Sequence, residues 1–189
     1  RQNEPDAAQV NFDLLPMEHL TRIELLSGTA SLLGRNSLGG AINLVSNQGG
    51  GPTRGELEVS GGNYRTLGTD GSVSGSLGGG KWSYYLGGGY DHENGWRQDT
   101  NAKQYNGFFN LGRLTDRWGI RLQGYGAKAR GETAGSLPES VFDTRPDSNL
   151  STGDFEDLNN LQVSLSGYTR SSGSQFSASA YVRRHRSER

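Results

Sequence analysis

A glycine run ahead of a lysine is the first place in this sequence where chemistry could sit. Gly75-Ser76-Leu77-Gly78-Gly79-Gly80-Lys81-Trp82 comes close to a phosphate-binding loop. Such a loop needs a Ser or Thr hydroxyl after the lysine to hold magnesium, and a helix N-terminus behind it. Trp82 stands at the hydroxyl position and a strand pattern follows, so the stretch reads as a hairpin turn. Gly124-Tyr125-Gly126-Ala127-Lys128-Ala129 fits a loose dinucleotide pattern, but no βαβ unit surrounds it. His19, His92 and His185 are far apart and none has a partner at i, i+4. They read as surface or lumen side chains rather than metal ligands. Serines are plentiful, yet no G-x-S-x-G elbow occurs. Cysteine is absent, which excludes disulfides, thiolate metal sites and cysteine nucleophiles. No nucleophile and base stand out, so the chain does not read as an enzyme, and no cofactor or metal is assigned.

Two charged clusters remain. Asp154, Glu156 and Asp157, with Asp143 and Asp147 upstream, offer oxygen ligands of the kind a hard cation needs. Their spacing matches no EF-hand, so they read first as a solvated loop, with calcium as the alternative. Arg183, Arg184, Arg186 and Arg189 crowd the end of the chain. On an alternating strand they split between its two faces.

The bulk composition narrows the fold. The chain has 189 residues, of which 31% are hydrophobic and 30 are glycine, with a net charge of −1. This balance predicts no nucleic-acid partner. Aromatic residues are too regularly spaced for a disordered chain. No run approaches the 18 or so apolar residues of a transmembrane helix. Strands of a transmembrane barrel alternate lipid-facing and lumen-facing residues, so a mean hydropathy of −0.71 is compatible with one.

The elements that could position these residues are strands. From residue 55 onward, period-2 alternation predicts seven: 55–61, 65–77, 81–92, 103–114, 117–130, 159–170 and 174–186. Leu67, Val73 and Leu77 share one face of the second, with Asp70, Ser72, Ser74 and Ser76 on the other. Trp82, Tyr84, Leu86, Gly88 and Tyr90 point outward from the third, Tyr105, Phe109 and Leu111 from the fourth, and Trp118, Ile120 and Leu122 from the fifth. The sixth turns Leu161, Val163 and Leu165 outward, and the seventh Phe176, Ala178, Ala180 and Val182. Connections at 78–80, 115–117 and 171–173 are tight, whereas 92–102 and 131–158 are long. Short turns alternating with long loops are the habit of outer-membrane barrels, and Trp82 and Trp118 follow short turns, where an interfacial aromatic girdle lies. The first outer loop, 62–64, is short and fits this pattern less well. A soluble or surface-exposed β-protein, such as an adhesin or carbohydrate-binding module, remains the alternative; it requires a continuous apolar core facing inward.

Ahead of these strands, Leu15-Pro16-Met17-Glu18-His19-Leu20 predicts one helical turn with Pro16 at its first position. Two short apolar runs follow, 23–26 and 41–45, around an excursion carrying Gly28, Gly34, Gly39 and Gly40. Residues 47–54 read as a flexible linker by composition. Pro16, Leu20, Ile23, Glu24, Leu25, Gly28, Ser31, Gly34, Gly39, Gly40, Ile42, Asn43 and Leu44 stand in the places of a family pattern. The stretch 12–46 resembles the C-terminal end of the plug domain of TonB-dependent outer-membrane receptors. Thr29, Leu33 and Leu38 depart from that pattern, which usually has proline, tyrosine and a small residue there.

The resemblance implies a mainly β fold. Residues 1–50 would be the C-terminal part of a plug, and 51–189 about seven antiparallel strands of an incomplete transmembrane β-barrel. Such barrels have about 22 strands. Because the chain starts at Arg1 and shows no signal peptide, it reads as a fragment cut at both ends. The resemblance further implies a bacterial outer-membrane location and TonB-coupled active uptake of a scarce nutrient: a ferric siderophore, cobalamin or an oligosaccharide. The implied partners are a TonB-type energy-coupling protein acting through a segment outside this stretch, a small-molecule or metal-chelate ligand, and outer-membrane lipid and lipopolysaccharide. Loop 131–158 is expected in the ligand vestibule. Arg22, Glu24 and Arg35 are the expected plug-locking charges, and Gly28, Gly34, Gly39, Gly40 and Asn43 the expected plug motif.

Overall fold

A computed structural model describes residues 14–28 and 40–188. Nine strands appear in it. β1 (Leu20–Ser27) and β2 (Gly40–Ser46) form an antiparallel hairpin, Leu20 opposite Ser46 and Ser27 opposite Gly40. The other seven form one antiparallel meander in chain order: β3 (Arg54–Gly61), β4 (Leu67–Leu77), β5 (Trp82–Glu93), β6 (Ala102–Leu114), β7 (Trp118–Glu132), β8 (Phe155–Ser171) and β9 (Ser174–Glu188). The chain is therefore mainly β, a short hairpin followed by a seven-stranded antiparallel sheet, as the alternation predicts. Among the described residues no helix is long and apolar enough to cross a membrane, which leaves a β-barrel untouched.

Period-2 geometry gives the sheet two unlike faces. Continuous ladders keep the parity from strand to strand: Val73 lies opposite Leu86, Leu86 opposite Phe109, Leu111 opposite Leu122, and Leu122 opposite Leu165. One face therefore collects the apolar side chains. Leu57, Leu86 and Val182 on it are 80%, 56% and 75% exposed. The other face, called inner here, carries Glu56, Glu58, Asp70, Ser72, Asn106, Asn110, Gln123 and Asn160, and it meets the hairpin. A soluble sandwich would bury the apolar face; here the buried side chains of the sheet, Tyr85, Phe108, Asn110, Ala127, Leu158 and Asn160, lie on the opposite one.

The buried core is small and sits at that seam. Leu14 packs on Ala127 and Leu158, with Ala129 beside them. Burying one leucine fully stabilises by about 1.5–3 kcal/mol, more than the net of one neutral hydrogen bond, so Leu14 is the main apolar anchor of this segment.

Three boundaries differ from the sequence reading. The turn after Leu15 is a 3-10 turn over Met17–His19, with Pro16 at its N-cap rather than inside it. The short connection 62–64 extends to residue 66, since β4 opens at Leu67, and it turns through Tyr64 and Arg65 in the left-handed region at φ of 54° and 56°. Loop 131–158 is shorter than expected, because β7 runs on to Glu132 and β8 starts at Phe155. It contains one short helix, α1 (Glu139–Phe142).

Candidate functional site

The segment leading into β1 crosses the inner face from β7 and β8, where Leu14 sits, to β5 and β6, where His19 ends the 3-10 turn. His19 is 1% exposed. Its Nδ1 lies 3.1 Å from the Tyr85 hydroxyl and its Nε2 3.1 Å from Asn106 Oδ1. Asn106 Oδ1 can only accept, so Nε2 donates to it, while Nδ1 pairs with the Tyr85 hydroxyl. Tyr85 and Phe108 flank the imidazole at centroid distances of 5.7 and 5.8 Å, and pack on each other at 5.8 Å. The space for the ring comes from Gly87. A Cβ there would stand 2.6 Å from His19 Cε1 and 2.8 Å from Nδ1.

The hairpin returns to the wall beside this pin. The Asn47 amide donates to the His19 carbonyl at 2.8 Å, and the Asn47 carbonyl accepts from Asn110 Nδ2 at 3.2 Å. Asn110 is buried, with Arg121 Nη1 3.5 Å from its Oδ1. Next, the Gly50 amide donates to the Gly75 carbonyl at 3.0 Å. Gly49 has φ +67°, and a side chain there would strike the Tyr84 backbone, so only glycine fits this close crossing. The residues read as a flexible linker are thus held against the wall.

The expected plug-locking charges behave differently. Arg22 Nε donates to Glu24 Oε1 at 2.6 Å, and Asn43, opposite Glu24 in the ladder, donates to Oε2 at 2.8 Å. Residues i and i+2 share a strand face, so the carboxylate is filled from within the hairpin. Among the described residues no wall charge is ion-paired with either one. Gly28 has φ +103° with open space around it. Gly40 has φ +141°, and a Cβ there would lie 2.5 Å from the Leu26 carbonyl oxygen, which requires glycine where β2 opens. Arg35, Gly34 and Gly39 lie outside the described residues.

The hydrogen bond from Arg22, then that from Asn43, holds the Glu24 carboxyl below the ordinary glutamate value. A carboxylate lowered in the folded state contributes stability that is complete above its unfolded pKa and lost as pH falls through the folded one. Titration followed by NMR should place Glu24 below a free glutamate, and Arg22→Gln should return it toward the ordinary value. An unchanged Glu24 titration in that variant would remove the pairing.

At the opposite end, two loops are tied together. Arg97, between β5 and β6, donates from Nε and Nη2 to the Ser148 carbonyl at 3.0 and 2.7 Å. Its Nη1 reaches the Gly135 carbonyl at 2.9 Å and that of Ala134 at 3.4 Å. Gln98 and Asn149 add cross-loop bonds: the Gln98 amide to the Asp147 carbonyl at 2.8 Å, and Asn149 Nδ2 to the Asp99 carbonyl at 3.1 Å. Below them lies a concave pocket of about 440 Å³ on the inner face, with Asp91, Glu93, Gln104 and Glu156 on its wall. The acidic cluster does not assemble into a cation site. Glu156 and Asp157 fall on opposite faces of β8, and Asp157 is 3.6 Å from Lys128. Among the described residues no three carboxylates and histidines gather. His92 bonds the Ala102 carbonyl at 3.2 Å, and His185 stands on β9 opposite Asn160. Arg183 and Arg184 split between faces, as expected.

No family model matches the chain, and no curated protein matches it by sequence. Solved structures do. The siderophore receptor PirA from Acinetobacter baumannii is similar at a TM-score of 0.72 and 18% identity, over 99% of this chain and 30% of that one. The ferripyoverdine receptor of the outer membrane of Pseudomonas aeruginosa, solved with ferripyoverdine bound, is similar at 0.64 and 20% identity, over 81% and 22%. The FpvAI–pyocin S2 complex gives 0.64 and 20%, over 81% and 21%. The chain thus spans less than a third of the length of these receptors. At such identities the likeness establishes the fold: the end of a plug followed by the opening strands of a β-barrel.

Proposed function

We propose that this chain is part of a TonB-dependent outer-membrane receptor that takes up a ferric siderophore. The observation that carries the reading is that the segments flanking the hairpin, at Leu14, His19, Asn47 and Gly50, are pinned to the inner face of a sheet whose apolar face is bare. That arrangement suits a plugged barrel with lipid outside. The choice of a ferric siderophore over cobalamin or an oligosaccharide draws on the siderophore receptors among the similar structures. Residues 1–50 then belong to the plug and 51–189 to the barrel, with the crossing at Gly49 and Gly50 as the joint.

In this reading the protein performs no covalent chemistry. The ligand enters between the loops tied by Arg97, a TonB-type protein pulls on a plug segment outside this stretch, and the plug shifts off the wall. Arg22, Glu24 and Arg35 would meet charges on barrel strands outside this stretch, with Gly28, Gly34, Gly39, Gly40 and Asn43 shaping the plug. Lipid and lipopolysaccharide surround the barrel.

The test is uptake of radiolabelled iron by a host lacking its own siderophore receptors and carrying the full-length gene. Uptake that needs both a ferric siderophore and an intact TonB supports the proposal. Uptake independent of TonB, or none with any siderophore offered, overturns it.

A further inference from the structure

One cation stands on the outer, apolar face near its short-turn end. Arg113 of β6 faces outward, with its guanidinium 5.1 Å from the Trp118 ring centre and 5.9 Å from that of Trp82. Its Nε is buried without a hydrogen-bond partner. The ion pairs among the described residues are Arg22–Glu24, Lys128–Asp157 and Arg186–Glu188, so no carboxylate serves Arg113. Around it the face is apolar: Leu111, Ile120 and Leu122 are each more than a third exposed.

Two ring faces attract a guanidinium, but they satisfy none of its N–H donors. A cation on an apolar, lipid-facing surface is costly unless an anion with acceptor oxygens meets it. Tryptophans gather at the level of the headgroups, where such an anion is abundant. The planar fork of arginine matches phosphate oxygens in pairs, and the rings preset its orientation. We propose that Arg113, held between Trp82 and Trp118, binds the phosphodiester of a glycerophospholipid in the leaflet at the short-turn end, with an acyl chain along Leu111, Ile120 and Leu122. The site rests on the reading above that this face meets lipid.

The experiment uses the full-length protein in detergent, titrated with phosphatidylglycerol and, separately, phosphatidylethanolamine, with bound lipid counted by native mass spectrometry. Arg113→Gln should lower retention of both by about tenfold, since they share the phosphodiester, while Arg117→Gln in the neighbouring turn leaves retention unchanged. Equal retention by the wild type and Arg113→Gln overturns the site. Displacement of the lipid by inorganic phosphate overturns it as a lipid site and reassigns it to the free anion. Quenching of Trp118 emission by brominated lipid, read against Trp118→Phe, separates the two levels. Quenching with equal lipid retention sinks the Arg113 site alone, whereas no quenching sinks the lipid-facing reading and the site with it.

Discussion

Arg97→Ala should release the two outer loops from each other, with amide exchange across residues 133–154 rising by about a hundredfold. Three nitrogens of one guanidinium serve carbonyls on Ser148, Gly135 and Ala134. A hydrogen bond to a charged group contributes about 1.5–3 kcal/mol, and carbonyls left unpaired add a desolvation cost. Such bonds are not additive, so a loss of about 3 kcal/mol is the reasonable expectation, which is about two factors of ten in an opening equilibrium. Ser148 and Asn149 are buried among loop residues and would become exposed. Arg97→Lys keeps the charge but not the fork, and one ammonium cannot reach all the carbonyls; its exchange should fall between the two. Hydrogen exchange on the full-length protein makes the measurement. Unchanged protection in Arg97→Ala would mean that Gln98 and Asn149 suffice, and that arginine is not the tie. If the loops form the ligand vestibule, their release should also weaken ligand binding, because a disordered site spends binding energy on ordering itself.

Nothing in the sequence marks Arg97. A loop arginine that donates to backbone carbonyls has no periodicity and no side-chain partner to betray it. The strands were legible because one face repeats every second residue, as in Leu161, Val163 and Leu165. Their outer ends were not, since Glu132, Glu156 and Asp157 are polar on both faces, yet the backbone ladder continues through them. The Arg22–Glu24 pairing was within reach, because i and i+2 share a strand face, and Asn43 then follows from the hairpin register. The tie between hairpin and wall was hidden for another reason. His19 meets residues 66 and 87 positions away in the chain, and a lone histidine carries no sign of either. The trace it does leave is Gly87-Gly88-Gly89 in mid-strand, since a glycine inside a strand often marks close approach by another group.

That trace leads to the second large effect. His19→Ala should loosen the hairpin from the wall by about 2–4 kcal/mol, combining the cavity left by a buried ring with the unpaired Tyr85 hydroxyl and Asn106 amide. Gly87→Ala should cost about 1–3 kcal/mol by overpacking, because the new Cβ overlaps an imidazole that is buried and cannot swing away. Either loss alone could come from any core change, so the informative measurement is the double variant. With the ring gone, the alanine methyl at position 87 enters the space it vacated. Its nearest remaining neighbour is Tyr85 Cε1 at 3.2 Å, a contact that small adjustments relieve. The second substitution should then cost less than about 0.5 kcal/mol, against additivity expected for independent sites. Hydrogen exchange of the β1–β2 amides in the full-length protein reads all three variants. A double variant equal to the sum of the singles would show that His19 and Gly87 act separately and that the histidine is not seated by the glycine. Strong coupling would show that the pair acts as one tie between the hairpin and the sheet. His19 is buried and bonded at both ring nitrogens, whereas β1, which follows it, is mostly exposed.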